Sequence, residues 1–266
     1  SDASGLRYAT QIHLKELRDY LYLDNGQETV VPSVGPEILS AAARIAGVAD
    51  RPVIRNLLSE STPDWRNVES LELCLDRDPN GPGYTVRVDV LTKAGERQPW
   101  INATVLDAPA EPLQVIDLPA LKAGSTRVVA AAELYSQLKE QKLAFGPYLE
   151  SIENAWVLSG GGVLLGLRED LPQQDFFKKN TFQSAPALGA AFEAILLAVG
   201  DVKYAARLSI GQSSLSGNDT AFVLCEPDVK GGFRVVFMNT AGQVSGELLD
   251  VGLATARSED SRGAAA

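Results

Sequence analysis

Residues 186–199 read PALGAAFEAILLAV. Leu188, Ala191, Phe192, Ile195 and Val199 recur at helical spacing, and Pro186 suits a first helical turn. Strand-like runs flank this predicted helix at 155–158 and 163–167, then at 204–210, 221–225, 233–238 and 244–249. Gly160-Gly161-Gly162, Gly231-Gly232 and Thr240-Ala241-Gly242 read as turns between them. A phosphate-binding role for the triple glycine would want a helix N-terminus after it, and a strand follows instead. One helix wrapped by an antiparallel sheet buries the apolar face of both.

The first half repeats this grammar. A helix is predicted over 36–48, with Ile38, Ala41, Ala42 and Ile45 on one face and Gly47 as its stop. Strands follow at 53–59, 71–75, 84–90 and 101–106. In two of them Leu71, Leu73 and Leu75, and Val86, Val88 and Val90, alternate with polar residues. The run 78–83, DPNGPG, is a strong turn signal. Asp76, Asp78 and Asn80 resemble a calcium loop only in their first spacings. Residues 107–112 lack periodicity and read as a linker, before a helix at 130–142 with Leu134, Tyr135 and Leu138 inward. The expected fold is α+β: a first unit over 1–112, a linker over 113–130, a second unit over 131–256, and a disordered tail or linker over 257–266.

Charge and cysteine content exclude several functions. The net charge of −10 argues against nucleic acid, which is bound by neutralising phosphates with Lys and Arg. Lys178 and Lys179 are one candidate for the local basic spot that an acidic partner would need. No apolar run reaches the ~20 residues of a membrane helix, and the N-terminus lacks a signal-peptide pattern. Cys74 and Cys225 sit in apolar runs, so both are expected to be buried. Two lone cysteines give neither a disulfide framework nor a zinc ligand set. A reducing, cytoplasmic setting fits.

Residues 134–152 read LYSQLKEQKLAFGPYLESI. This resembles the segment that opens the second hotdog of polyketide synthase dehydratase domains, roughly L-Y-x-x-L-x-x-x-G-L-x-Y-G-P-x-F-x-x-I. Leu134, Tyr135, Leu138, Leu143, Gly146, Pro147 and Ile152 match; Lys142, Phe145 and Leu149 replace the family's Gly, Tyr and Phe. Residues 116–122 resemble the inter-hotdog linker. Val30-Val31-Pro32 is similar to the segment before the first hotdog helix, and Ala185-Pro186-Ala187-Leu188 to the start of the second. Residues 235–253 look like the terminal strands, with Asn239 where Asp is common. The likeness covers most of the chain and implies a double hotdog.

The same resemblance implies a chemistry whose parts are missing. Family dehydratases remove water from a β-hydroxyacyl thioester: a His takes the α-proton and an Asp protonates the leaving hydroxyl across a dry tunnel. The His opens an H-x-x-x-G-x-x-x-x-P motif. Pro32 fits its Pro, but the His position falls on Leu23, or on Asn25 if the loop is shortened. The Asp opens D-x-x-x-Q/H on the second helix, which places Gly189 at the Asp and Glu193 at the Gln or His. Glu193 serves as an acid only if buried with a raised pKa; a polar or solvated position is the plainer expectation. The single His, His13, reads as a surface or packing residue. Asn25, Pro32, Phe145, Gly146, Pro147, Gly189 and Glu193 are the residues expected to line a substrate site.

The function expected is therefore a non-dehydrating, dehydratase-like domain of a modular polyketide synthase. It would support its module and bind the acyl chain carried on the phosphopantetheine of an acyl carrier protein, with no cofactor of its own. The branching domain, which sits beside a ketosynthase in β-branching, is one such type. The resemblance also implies neighbouring synthase domains and a homodimer through the first hotdog. The alternatives are a double-hotdog enzyme of altered chemistry (double-bond isomerase, cyclase or dehydratase) and a standalone acyl-thioester binding protein.

Overall fold

A computed structural model of the chain describes residues 7–13, 17, 20–59, 63–78, 81–107, 114–170, 183–199, 205–217, 219–229 and 231–255. Lys178, Lys179 and the 257–266 tail lie outside them. The first half comprises β1 (Arg7–His13), β2 (Leu21–Asp24), β3 (Gln27–Val30), α1 (Val34–Ile45), β4 (Pro52–Ser59), β5 (Val68–Arg77), β6 (Tyr84–Thr92) and β7 (Arg97–Asp107). The second comprises α2 (Leu118–Ala123), β8 (Ser125–Ala130), α3 (Ala131–Glu140), β9 (Leu143–Phe145), β10 (Ile152–Leu158), β11 (Val163–Leu167), α4 (Ala185–Val199), β12 (Ala205–Leu215), β13 (Phe222–Pro227), β14 (Phe233–Met238) and β15 (Val244–Thr255).

Twelve strands form one sheet in the order β1-β5-β6-β7-β4-β12-β15-β14-β13-β11-β10-β8. The seam between the halves is the antiparallel pair β4–β12, with Ile54 opposite Ser213. Helix α1 packs on β4, β7 and β12, and α4 on β11, β13 and β14. In the first half the sheet follows the period of two. Leu71, Leu73 and Leu75 pair with Val90, Val88 and Val86, and all six are buried towards α1. Cys74 lies on the other face and is half-buried, unlike Cys225, which is buried; alternation, not apolar neighbours, decided its side.

Around β11 the sheet is covered on both faces, so this strand reads as a continuous apolar run, VLLGL, with every residue buried. Helix α4 covers the inside. Its residues Ala185 to Leu196 are all buried, as expected for a helix apolar around its circumference. Ser184 caps it, its Oγ accepting from Ala187 N at 3.3 Å. Helix α2 covers the outside: Leu118 packs on Leu164, Leu224, Val236 and Met238. Lys122 Nζ stands 4.6 Å from the Trp156 ring centre and 4.2 Å from that of Phe222, a cation–π clamp.

The stretch read as a linker, 113–130, thus carries α2 and the edge strand β8. It is stitched to the second half by Val244 N donating to Gln114 O and Ile116 N to Gly242 O, both 2.9 Å. The apolar faces of the helices are also shorter than their periodicity predicts. Ile45 and Val199, the last residues of α1 and α4, are 68% and 41% exposed. No helix is long and apolar enough to cross a membrane among the described residues.

Candidate functional site

A second, three-stranded sheet in the order β3-β2-β9 joins the halves near the N-terminus of α4. Strands β2 and β3 form a hairpin closed by Asn25 and Gly26, whose φ angles of 51° and 79° are those of a type I′ turn. Strand β9 adds to its edge, pairing Tyr22 with Phe145 and Asp24 with Leu143. Asn25 N donates to Lys142 O at 3.0 Å.

This hairpin fixes the direction of the two positions that the resemblance reads for the family's His. Alternation along β2 buries Tyr22, leaving Leu23 40% exposed on the opposite side. Asn25 sits at the exposed tip, its Nδ2 donating to Asp24 Oδ1 at 2.8 Å. Neither lines an interior, and the inward residue is Tyr22. An Asn-Gly pair between two extended runs is the signal that could have found the hairpin and its register.

Rings and packed side chains occupy the junction behind it. Tyr22 stacks on Phe145 with centroids 5.4 Å apart and planes 11° apart, and packs against Phe192 of α4 at 5.3 Å. Tyr135 of α3 lies 6.5 Å from Phe145. Gly189 faces Leu149, which is fully buried; a Cβ on Gly189 would fall 2.8 Å from Leu149 Cδ2. The glycine is therefore a close-packing residue. Gly146 anchors the turn that carries Leu149, its carbonyl accepting from Leu149 N and Glu150 N at 2.9 Å each. Pro147 is exposed, and Pro32 ends β3 ahead of α1.

Glu193 is completely buried, against the expectation of a solvated position. Tyr135 Oη lies 3.2 Å from its Oε2, and Oε1 has no hydrogen-bond partner. Burial pushes this carboxyl well above the usual Glu range; the Tyr135 bond opposes that shift and the Glu150 charge adds to it. Burial also raises the Tyr135 phenol, with the Glu193 charge second. Tyr22 is raised by burial and by Asp24. The Cys225 thiol is pushed up to about 12, mainly by burial, so it is an unreactive core group. Burial thus favours the neutral form of Glu193. His13 lies exposed on β1, the outermost strand, opposite Ser70.

The two helix N-termini are locked across the junction. Ser33 Oγ donates to Leu188 O at 2.5 Å, and Gln183 N donates to Glu37 Oε2 at 2.9 Å. Gln183 Oε1 accepts from Thr220 Oγ1 at 2.6 Å, and its Nε2 donates to Ser245 O at 3.2 Å. Replacing Glu37 with alanine leaves the buried Gln183 N–H without its acceptor, at a cost of about 1–3 kcal/mol. A urea titration of the variant should show that loss as a lower midpoint. Among the described residues no group of three His, Cys, Asp or Glu side chains could hold a metal ion.

No protein-family model matches the sequence, and no curated protein matches it. Solved structures do. The dehydratase domain from the CurF module of curacin polyketide synthase superposes with a TM-score of 0.75 at 13% identity, over 97% of this chain and 95% of that one. A trans-AT dehydratase domain from Brevibacillus brevis gives 0.76 at 18%, over 97% and 96%. The CurK dehydratase domain gives 0.77 at 13%, over 96% and 93%. This chain has the double-hotdog fold of polyketide synthase dehydratase domains. Its two hotdogs are the α1 and α4 halves, and the ring-filled junction lies between them. Two solved forms of the CurK dehydratase, one with a His changed to Phe and one with an Asp changed to Asn, are inactive mutants.

Proposed function

We propose that this chain is a non-dehydrating, dehydratase-like domain of a modular polyketide synthase. One observation carries the reading: Gly189, at the family's Asp position, is packed shut by Leu149, while Leu23 and Asn25, the candidates for its His, face outward. Elimination of water needs a group to take the α-proton and another to protonate the leaving hydroxyl. The CurK dehydratase is inactive when its His or its Asp is changed. With neither group in place, the domain's contribution to a module is to support a neighbouring ketosynthase or other domain, as a branching domain does. Its partner in that role is an acyl carrier protein bearing the chain on phosphopantetheine. Holding that chain between the hotdogs requires the Tyr22–Phe145 stack to swing aside.

The test is incubation with a β-hydroxyacyl pantetheine thioester and its carrier-protein form, read by mass spectrometry. No loss of water above the protein-free control is expected. Protein-dependent dehydration would sink the reading.

The burial of Glu193 favours a second reading, an isomerase of altered chemistry. In its ionised form a single buried carboxylate can take a proton from one carbon and return it to another, shifting a double bond without net proton change. An enoyl thioester incubated with the protein and followed by NMR discriminates: a shifted double bond that disappears in Glu193→Gln supports the isomerase, and an unmoved double bond supports the silent domain.

A further inference from the structure

We propose that the proton on Glu193 closes the seam between α3, the 146–151 turn and α4, and that its loss opens this seam to solvent. The argument is one of counting protons at Tyr135. Its hydroxyl accepts from Ile152 N at 3.1 Å, lies 3.4 Å from Leu149 O and lies 3.2 Å from Glu193 Oε2. A phenol has one proton to give. With Glu193 protonated on Oε2, that acid donates to Tyr135 Oη, and the phenol proton is free for Leu149 O. Every contact is then used. With Glu193 ionised, the phenol must turn to the carboxylate. Leu149 O keeps only Ser151 N, at 2.7 Å, and the charge sits in a dry place with Oε1 unpartnered. Parting α3 and the turn from α4 lets water reach that charge.

The surroundings do not rescue the ionised form. The turn contributes Glu150, whose like charge opposes it. Arg168, after β11, donates to Glu150 O at 3.4 Å but spends its charge on Asp170, at 2.9 Å. Helix α3 contributes Tyr135, whose phenol is itself raised by burial and by the Glu193 charge and so stays neutral. Since folding raises the Glu193 pKa, its contribution to stability is complete below the ordinary Glu value of about 4.3 and is lost as pH climbs through the raised folded value. What opens is the contact that shuts Gly189, because Leu149 rides on the same turn.

Hydrogen exchange of the intact chain, read by mass spectrometry on peptides spanning 146–152 and corrected for intrinsic pH dependence, tests this. The wild type should lose roughly tenfold or more of its protection there as pH rises, which corresponds to about 1.4 kcal/mol. Glu193→Gln, a neutral isostere, should show no such step, and Tyr135→Phe should be poorly protected at every pH. Wild-type protection that stays flat until global unfolding would overturn the proposal, as would a step of wild-type size in Glu193→Gln. Should that variant not fold, pH-difference infrared spectra of the wild type decide. A protonated-carboxyl band must fade with the same midpoint as the protection, and separate midpoints refute the link. This outcome is independent of whether the domain dehydrates a thioester.

Discussion

Phe192→Ala is expected to lower the free energy of unfolding by about 3–5 kcal/mol. Its side chain is 1% exposed on α4 and touches the Tyr22 ring, which belongs to the other hotdog. Truncation removes the transfer free energy of the ring and leaves a cavity where the two halves meet. The tilted Tyr22–Phe192 pair adds about 0.5–1.5 kcal/mol beyond buried area. The surroundings cannot collapse freely, because Tyr22 is held in register by β9 and stacked on Phe145. Urea denaturation should report a lower midpoint with an unchanged slope. Val128→Ala is the control: that side chain is 55% exposed on the edge strand β8, and its loss should stay within about 0.5 kcal/mol. A Phe192 variant as stable as the control would mean that the rings do not hold the junction together.

The parts of this fold legible in the sequence are those whose burial is decided locally. The helical spacing in α4 and the alternation in β5 and β6 follow from which face meets the core, and both stand as read, apart from the exposed last residues. Elements whose partners are distant in sequence were not legible. Strand β9 is three residues long and exists because a hairpin some 120 residues earlier offers it an edge. Helix α2 and strand β8 follow a run of Pro, Ala and acidic residues, and their order comes from the outer face of the sheet they cover. The site divides the same way. A mid-helix glycine costs about 1 kcal/mol unless contact repays it, and at Gly189 Leu149 supplies that contact. The polarity of Glu193 argues for solvent, and its burial runs against that. Yet it is the one charged residue within α4, and a single charge in a wholly apolar helix is itself the signal of a buried ionisable group. The hairpin is a third case: the Asn25-Gly26 turn carries enough information to fix the register and overrides the spacing counted back from Pro32.

Gly189→Asp, which puts an acid where the resemblance reads the family's Asp, is expected to destabilise the chain by about 3 kcal/mol or more and to yield no dehydration. Two costs combine. A Cβ at 189 falls 2.8 Å from Leu149 Cδ2, and overpacking of this kind costs about 1–3 kcal/mol. The carboxyl beyond it enters a junction lined by Leu149, with Glu193 one helical turn away, and an unpaired polar group there adds about 1–3 kcal/mol. Leu149→Ala in the same chain separates the two. It removes the clash but leaves the carboxyl buried, so the double variant should recover part of the loss, with a coupling of about 0.5–3 kcal/mol between the positions. Gly189→Ala supplies the sharper comparison. Alanine gains about 1 kcal/mol of helix propensity but meets the same Leu149 methyl. A net loss of stability means that Leu149 is fixed in front of α4. A net gain means that Leu149 yields easily and that the space beside Gly189 can open.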